Sequence, residues 1–179
     1  MTTGMVPTLV AAALIASAMV LTGCLSAGEA RRSVEWQVLI TIAAAFGVGI
    51  AMRNSKAAAS IAETVVQVTR HLGPVATLAC IYLMASVLTE MITNNAVAVL
   101  LFPVCLETAA LLDVSPRPFI IAITLAASAS LMTPIGYQTN LLVYGPGGYR
   151  FTDFMRIGLP LNLMLITVAM LLIPMFWPF

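Results

Sequence analysis

A long stretch of the chain, residues 75–112, is almost entirely apolar and carries only two charged side chains, Glu90 and Glu107. The hydrocarbon core of a bilayer is about 30 Å thick, so a helix that crosses it needs about 20 mostly apolar residues. The stretch is long enough for two membrane-embedded helices, and similar runs occur on both sides of it. The whole chain is 61% hydrophobic and 8% charged, a composition that soluble globular domains do not have. We therefore expect an all-α membrane protein, built as a polytopic helical bundle.

The remaining composition argues against several classes of function. A net charge of +1 offers no basic surface for nucleic acid. The cysteines, Cys24, Cys80 and Cys105, lie in apolar runs without CxxC spacing, so we expect no disulfide framework, zinc site or cofactor. His71 lies far in sequence from every polar cluster, and no HExxH or GxSxG motif occurs. The sequence therefore predicts a protein that is not an enzyme.

The predicted first span, residues 6–25, ends in LTGC (Leu21–Cys24). This tetrapeptide resembles the cleavage site of a bacterial lipoprotein, but the preceding MTTGMVPT lacks the Lys or Arg that a secretory signal carries. Cleavage there would also leave the later membrane segments unexplained. We therefore interpret residues 6–25 as a membrane span, which is followed by a polar loop and a second span at residues 36–52.

The next segment has one polar face at helical spacing. Its polar side chains are four, three, four and three residues apart, which places them on one side of a helix with Ala, Ile and Val opposite. They are Lys56, Ser60, Glu63, Gln67 and Arg70. Such a helix lies in the membrane interface or covers one end of a helical bundle, and we favour the interfacial position.

A polar cluster, Thr93–Asn95, interrupts the long apolar stretch. Two spanning helices joined by a tight turn would explain it, but turns in water usually carry charge, Gly or Pro, and none is adjacent here. The alternative is a re-entrant hairpin whose tip stops inside the protein, where irregular backbone is tolerated at membrane depth. Such a tip would offer side-chain oxygens and free carbonyl groups to a bound ion.

A second polar interruption follows the apolar helix predicted at residues 118–132. That helix would reach about 22 Å at 1.5 Å per residue, which is short of a full crossing. The following segment, TPIGYQTN (Thr133–Asn140), contains Pro134, which lacks a donor, and Gly136, which loosens the backbone. We therefore predict a transmembrane helix that is broken inside the membrane, with a last span at about residues 157–179.

Two polar interruptions in one membrane bundle indicate a binding site. Polar groups inside a membrane are costly and usually functional, and discontinuous helices hold the ions and substrates of secondary transporters. We expect the tip and the break to face each other around one site. The alternative is ordinary hydrogen bonding of Asn and Thr side chains between helices.

Three segments resemble motifs of the divalent anion:sodium symporter family. LTEMITNNAVAVLLFPV resembles the family's hairpin, whose tip normally contains Ser-Asn-Thr, and TPIGYQTNLLVYGPGGY resembles its broken helix. LTGCLSAGEARRSVEW resembles the loop that precedes the next scaffold helix in bacterial members. The three segments occur in the family's order, and the resemblance extends from about Val20 to the C-terminus. The wider superfamily includes citrate carriers and arsenite permeases.

The resemblance implies the C-terminal half of an inverted-repeat, elevator-type carrier. Such a carrier would move sulfate, phosphate or a di- or tricarboxylate, coupled to Na⁺ or H⁺. The implied partners are the lipid bilayer, a small anionic solute and either an N-terminal half with the matching repeat or a second copy in a homodimer. We expect a multi-pass protein of the bacterial inner membrane. The alternative is a truncated remnant, or a membrane scaffold partner, that does not transport.

The resemblance also assigns site residues. The implied cation-binding residues are Thr93, Asn94, Asn95, Thr133, Pro134, Gly136 and Asn140. The implied substrate-binding residues are Asn94, Asn95, Thr139 and Asn140. No other metal site is implied. Glu90, three residues before the tip cluster, is expected to be structural, and a role in proton coupling is the alternative.

The resemblance further implies that residues 1–179 form one transmembrane domain with distinct parts. Residues 1–55 and 151–179 would be scaffold helices. Residues 56–71 would form the interfacial arm helix, and residues 72–150 would form the hairpin and broken helix of the transport part.

Overall fold

The computed structural model describes residues 8–179, apart from the side chains of residues 8, 9, 37, 38 and 138. Within that range the chain forms nine α-helices and no strand. In chain order they are α1 (Thr8–Leu21), α2 (Ala27–Arg32), α3 (Trp36–Asn54), α4 (Ala57–Thr69), α5 (Pro74–Thr89), α6 (Asn94–Leu112), α7 (Arg117–Ser128), α8 (Gln138–Tyr144) and α9 (Phe151–Phe176). The predicted all-α class is confirmed. The predicted first span began at residue 6, and its first two residues lie outside the described part of the chain.

The chain divides into two compact units, Met1–Ile42 and Ala43–Phe179, with the boundary inside α3. In the first unit, α2 occupies a segment that we predicted to be a polar loop. Ser26 Oγ accepts from Glu29 N at 3.2 Å, and the Glu29 carboxylate accepts from Ser26 N at 2.9 Å. This reciprocal capping stabilises a short helix where composition alone indicates a loop. The division into scaffold, arm and transport parts stays a prediction.

The amphipathic helix predicted after the second span is α4. It packs on α5 and α6 through a buried face formed by Ala58, Ala62, Val65 and Thr69. All five side chains of the predicted polar face are exposed. The predicted two-faced character is therefore confirmed, and the position of this helix in a membrane interface stays a prediction.

The core of the second unit lies between α5, α6 and α7. These three helices pack on one another, and α9 packs on α5 and α7. Small residues such as Ala85 on α5 and Ala122 and Ala126 on α7 are fully buried, which lets the helix backbones approach closely. Tyr82 and Phe119 fill the larger spaces. This packing places the end of α5 beside the end of α7.

The predicted interruption of the 118–132 helix is confirmed, but it begins earlier, and residues 129–137 are not helical. The helix ends because its next backbone groups bind the hairpin. Leu131 N and Met132 N each donate to the Glu90 carboxylate at 2.9 Å. In a continuing helix those groups would donate to carbonyls four residues earlier. A tertiary contact, rather than the downstream proline alone, therefore sets the end of α7.

The last helix, α9, starts at Phe151, before the predicted residue 157. Asp153 accepts from Arg150 N at 2.8 Å and thereby closes the first turn of the helix ahead of the predicted span. Among the described helices, α6 and α9 are long and apolar enough to cross a membrane. Buried core helices can meet the same criterion, but the most apolar window of α9 is only 17% buried. A helix this apolar and exposed needs lipid or another protein to cover it.

Candidate functional site

The hairpin tip consists of residues 90–93, between α5 and α6. The two N–H groups that follow Glu90 donate to Leu88 O at 3.0 and 2.9 Å, which closes the end of α5 with a tight turn. The side chain of Thr93 caps α6 by accepting from Ala96 N at 3.4 Å. The tip is thus built from local bonds, and the remaining first N–H groups of α6 have no partner within the helix.

Thr89, the last residue of α5, joins the tip to the end of α7. Its hydroxyl oxygen lies 2.9 Å from Asn94 Oδ1 and 2.7 Å from Ala127 O. A hydroxyl has one proton, so Thr89 donates to one of these oxygens at a time. The Thr89 carbonyl accepts from Ser130 Oγ at 3.2 Å. Because Thr89 is fully buried, these bonds form away from water and hold the two helix ends together.

Glu90 joins the tip to the break after α7. Its side chain is only 6% exposed, and Oε1 accepts the two N–H groups of Leu131 and Met132. Its backbone carbonyl accepts from Thr133 Oγ1 at 3.2 Å. The second carboxylate oxygen, Oε2, is buried and has no hydrogen-bond partner among the described residues. Only one of the two carboxylate oxygens of Glu90 is therefore hydrogen-bonded, and burying an unpaired charge costs free energy.

The break is closed by hydrogen bonds within itself. Asn140, on α8, donates from Nδ2 to Ser130 O at 3.3 Å and to Thr133 O at 3.1 Å. Gly136 N donates to Thr133 Oγ1 at 3.1 Å, and Pro134 is buried. The short helix α8 is thus tied back to the end of α7 instead of continuing it.

Gly136 lies in a part of the break that is tightly packed against the tip. A Cβ at this position would overlap Ser130 Oγ and would lie 3.1 Å from both Glu90 Oε2 and Thr133 Oγ1. Three side-chain oxygens therefore face the same side of the residue. Any larger residue would have to displace them, since contacts this short are repulsive.

The structure brings some of the predicted site residues together and leaves others apart. Those in the bonded region between tip and break are Asn94, Thr133, Pro134, Gly136 and Asn140. Thr93, Asn95 and Thr139 are exposed. Thr93 bonds only within its own helix, and the side chains of Asn95 and Thr139 form no hydrogen bond within the described part of the chain. The predicted meeting of tip and break is therefore present, and the assignment of these residues to cation or substrate stays a prediction.

The sequence did not predict Thr89 or Ser130 as site residues, and Glu90 was expected to be structural. Each of them forms a bond between the hairpin and the break. The available signal was the pair Thr89-Glu90 where the first arm of the hairpin ends, since an acid in an apolar stretch needs a buried partner. For Ser130 there was no comparable signal, because it lies in a run of small residues that packing alone would explain.

Two helix C-termini, those of α5 and α7, meet at this site. The carbonyl end of a helix carries a partial negative charge, which favours a cation nearby. The groups around it are hydroxyl, carbonyl and carboxylate oxygens, the type that holds Na⁺ or a proton at broken helices of transporters. No three His, Cys, Asp or Glu side chains cluster among the described residues. The oxygens that the structure brings together here belong to the Glu90 carboxylate, to hydroxyl groups and to backbone carbonyls.

Comparison with known proteins identifies relatives along most of the chain. A family model described as citrate transporter matches residues 1–113. An uncharacterized transporter of Synechocystis sp. is 45% identical over 87% of this chain and 26% of its own length. Sodium/sulfate cotransporter 2 of Chlamydomonas reinhardtii is 39% identical over 89% of this chain and 18% of its own length. An uncharacterized transporter of Escherichia coli is 34% identical over 100% of this chain and 29% of its own length. The chain thus spans less than a third of the length of each of these three relatives.

Proposed function

Because this chain belongs to the citrate transporter family, we propose that it contributes the hairpin and broken helix of a secondary carrier for a small anion. The substrate would be sulfate, phosphate or a di- or tricarboxylate, and the driving ion Na⁺ or H⁺. The names of relatives support sodium and sulfate, since they include sodium/sulfate cotransporters, and the description of the matching family model supports citrate. The movement would be of the elevator type that the sequence resemblance implies.

One observation carries the proposal: the tip and the break are bonded to each other inside an apolar bundle. Thr89 and Glu90 on the hairpin bind Ala127, Leu131 and Met132 at the end of α7. Ordinary helix packing does not need a carboxylate buried at a helix interruption, because such a group is costly to desolvate. A carrier does need polar groups there, since ions and substrate must leave water to be moved.

The anion would bind on the tip side of the site. The first N–H groups of α6 lie at the positive end of a long helix, where anions are favoured. Asn94 and Asn95 are the first residues of that helix. We propose that their amides, with Thr139 and Asn140 of the break, contact the substrate, and that the cation binds among the oxygens behind them.

The chain would act within a membrane and with a partner. The exposed apolar surface of α9 suits lipid, and we propose the bacterial inner membrane as its location. An alternating-access carrier built on inverted repeats uses two matching halves. We therefore propose assembly with an N-terminal half that carries the matching repeat, and a homodimer is the alternative.

The test is uptake of labelled sulfate, phosphate and citrate into proteoliposomes that contain this chain and its matching half. We expect uptake that depends on an inward Na⁺ or H⁺ gradient and disappears in choline at equal pH on both sides. Asn94→Ala should lower uptake about tenfold or more, since losing about 1.4 kcal/mol of binding corresponds to a factor of ten. Asn54→Ala changes an exposed residue at the end of α3 and is the matched control.

Uptake that ignores both gradients, or that is unchanged by Asn94→Ala, would contradict the proposal. Absence of uptake with both halves present would instead favour the alternative, a membrane scaffold that does not transport.

A further inference from the structure

Helix α4 carries an apolar stripe in addition to its buried face and its polar face. In this stripe Ile61 is 38% exposed, and Val68, about two helical turns later, is 72% exposed. The residues of the buried face pack on α5 and α6 and leave these two side chains uncovered. A row of exposed apolar groups indicates contact with lipid or with another protein.

The turn after α4 extends the apolar stripe. Leu72 lies in this turn and is 73% exposed, and Val75, in the first turn of α5, is also exposed. Arg70 and His71 lie among these apolar side chains and are exposed as well. Neighbouring apolar and basic groups of this kind are typical of the membrane interface, where the apolar groups enter the acyl region and the basic groups stay with the headgroups.

The polar face restricts the orientation of α4 in a membrane. It extends from Lys56 to Arg70, about 21 Å along a helix at 1.5 Å per residue. A polar face of that length would be costly inside the hydrocarbon core. If α4 lies along the membrane surface, its whole polar face stays among the headgroups while its apolar stripe reaches the acyl chains. The exposed apolar stripe therefore supports the interfacial position that the sequence predicts, because packing on α5 and α6 alone would not require it.

The charges on and beside the polar face favour an anionic lipid. Arg53 and Lys56 lie at its start, and Arg70 lies at its end. Glu63 is the one acid between them, and it is about 10 Å along the helix from both Lys56 and Arg70, too far for an ion pair. None of these four side chains has an ion pair in the part of the chain that the structure describes. Each end of the polar face therefore offers unpaired positive charge to a partner from outside the chain.

We propose that α4 selects anionic phospholipids from the bilayer, with Lys56 and Arg70 each holding the phosphate of one headgroup. Arg53 adds positive potential at the Lys56 end. The ligand is a headgroup with net negative charge, such as that of phosphatidylglycerol, rather than the zwitterionic headgroup of phosphatidylcholine. This inference goes beyond the proposed function, because it needs the membrane location but no transport.

The test measures which lipid lies next to α4 when the full chain is reconstituted in phosphatidylcholine nanodiscs. A fluorophore is attached through Ser60→Cys, near Lys56, or through Gln67→Cys, near Arg70. Phosphatidylglycerol or phosphatidylcholine, spin-labelled at the headgroup end of one acyl chain, is added in trace amounts and quenches the fluorophore on contact. In every protein the native cysteines are replaced by Ala, and these are Cys24, Cys80 and Cys105.

We expect phosphatidylglycerol to quench about fivefold more strongly than phosphatidylcholine at both positions, since one basic group near an anionic headgroup corresponds to about this factor. The preference should disappear in about 1 M NaCl, where the Debye length is about 3 Å instead of about 10 Å at about 0.1 M.

Arg70→Gln should bring the preference at the Gln67 position close to unity. Arg156→Gln makes the same chemical change at an exposed position near the start of α9 and should keep the preference. Glu63→Gln removes the acid of the polar face and should raise the preference. A rise in this variant would show that charge, and not a loss of folding, determines which lipid is bound.

Lys56→Gly separates lipid binding from stability at the other end of α4. Lys56 has φ 57° and ψ 14°, a left-handed conformation that Gly adopts more readily than Lys. The substitution should therefore raise Tm in detergent and still lower the preference at the Ser60 position.

Three outcomes would overturn the inference. Equal quenching by the two lipids in the wild type would mean that α4 does not select by charge. Quenching by neither lipid would mean that protein or water, and not lipid, covers the polar face. A preference that is unchanged in both Arg70→Gln and Lys56→Gly would mean that other groups attract the lipid. None of these measurements involves uptake, so a failure of the proposed function in the uptake assay is distinguishable from a failure of this inference.

Discussion

Glu29 and Glu90 bind in the same way in two very different regions. Each carboxylate accepts two donors with a single oxygen: Glu29 Oε2 accepts from Ser26 N and Ser26 Oγ, at 2.9 and 2.7 Å. Glu90 Oε1 accepts from Leu131 N and Met132 N. Glu29 lies in water at the N-terminus of α2, and Glu90 is buried where α5 and α7 end. Two donors on one oxygen therefore bind both a carboxylate that the helix dipole favours and a carboxylate that it opposes.

The two acids differ in what surrounds the second carboxylate oxygen. The second oxygen of Glu29 can bind water, so its two protein bonds are sufficient. The second oxygen of Glu90 is buried without a hydrogen-bond partner in the described residues, at the place where α5 and α7 end. An exposed capping acid stabilises a helix locally, whereas this buried acid joins two helix ends through one oxygen and leaves its other oxygen without a partner in the described residues.

The largest effect that the comparison predicts is that of Glu90→Ala. It would leave Met132 N without its acceptor and Leu131 N with only its bond to Ala129 O at 3.1 Å, and hydrogen bonds to a charged group are worth about 1.5–3 kcal/mol each. We expect the free energy of unfolding in detergent to fall by about 3 kcal/mol or more. Glu63→Ala, on the exposed face of α4, should change it by no more than about 0.5 kcal/mol. Equal effects of the two substitutions would show that Glu90 does not hold the break.

The two regions also differ in how far sequence could predict them. Ser26 and Glu29 have the spacing of a capping box. The sequence alone could therefore have predicted a helix start in a segment whose composition indicated a loop. The bonds of Glu90 join residues 41 and 42 positions apart, and no local pattern indicates them. The helical class, the α4 faces, the tip and the break follow from periodicity and polarity. Which residues join the tip to the break depends on which helix ends meet. That is determined by the packing of α5 on α7 and not by any local sequence pattern.

A substitution on α9 would disturb the backbone groups that donate to Glu90 without changing Glu90 itself. A Cβ at Gly158 would overlap the carbonyl oxygen of Leu131 and lie 2.8 Å from Met132 Cα. These are backbone atoms that cannot rotate away, so Gly158→Ala should cost about 1–3 kcal/mol of unfolding free energy. Gly47→Ala, where a Cβ meets nothing within 4 Å, should instead stabilise α3 by up to about 1 kcal/mol. If Gly158→Ala behaved like Gly47→Ala, the close contact of α9 with the break would be refuted.

The smallest effect is expected at the exposed acid. Hydrogen bonds from the Ser26 side chain and backbone hold the pKa of Glu29 below its ordinary value of 4.5. A carboxylate whose pKa is lowered by folding stabilises the folded form above its unfolded-state pKa, and this contribution is lost as pH falls through the folded-state value. Ser26→Ala should therefore raise the pKa of Glu29 toward 4.5, measured by the ¹³C chemical shift of its labelled side-chain carboxyl between pH 2 and 7. In the wild type the helix cap should weaken only on acidification below pH 4.5. An unchanged Glu29 pKa in Ser26→Ala would mean that the carboxylate does not depend on its cap, and the contrast with Glu90 would then rest on burial alone.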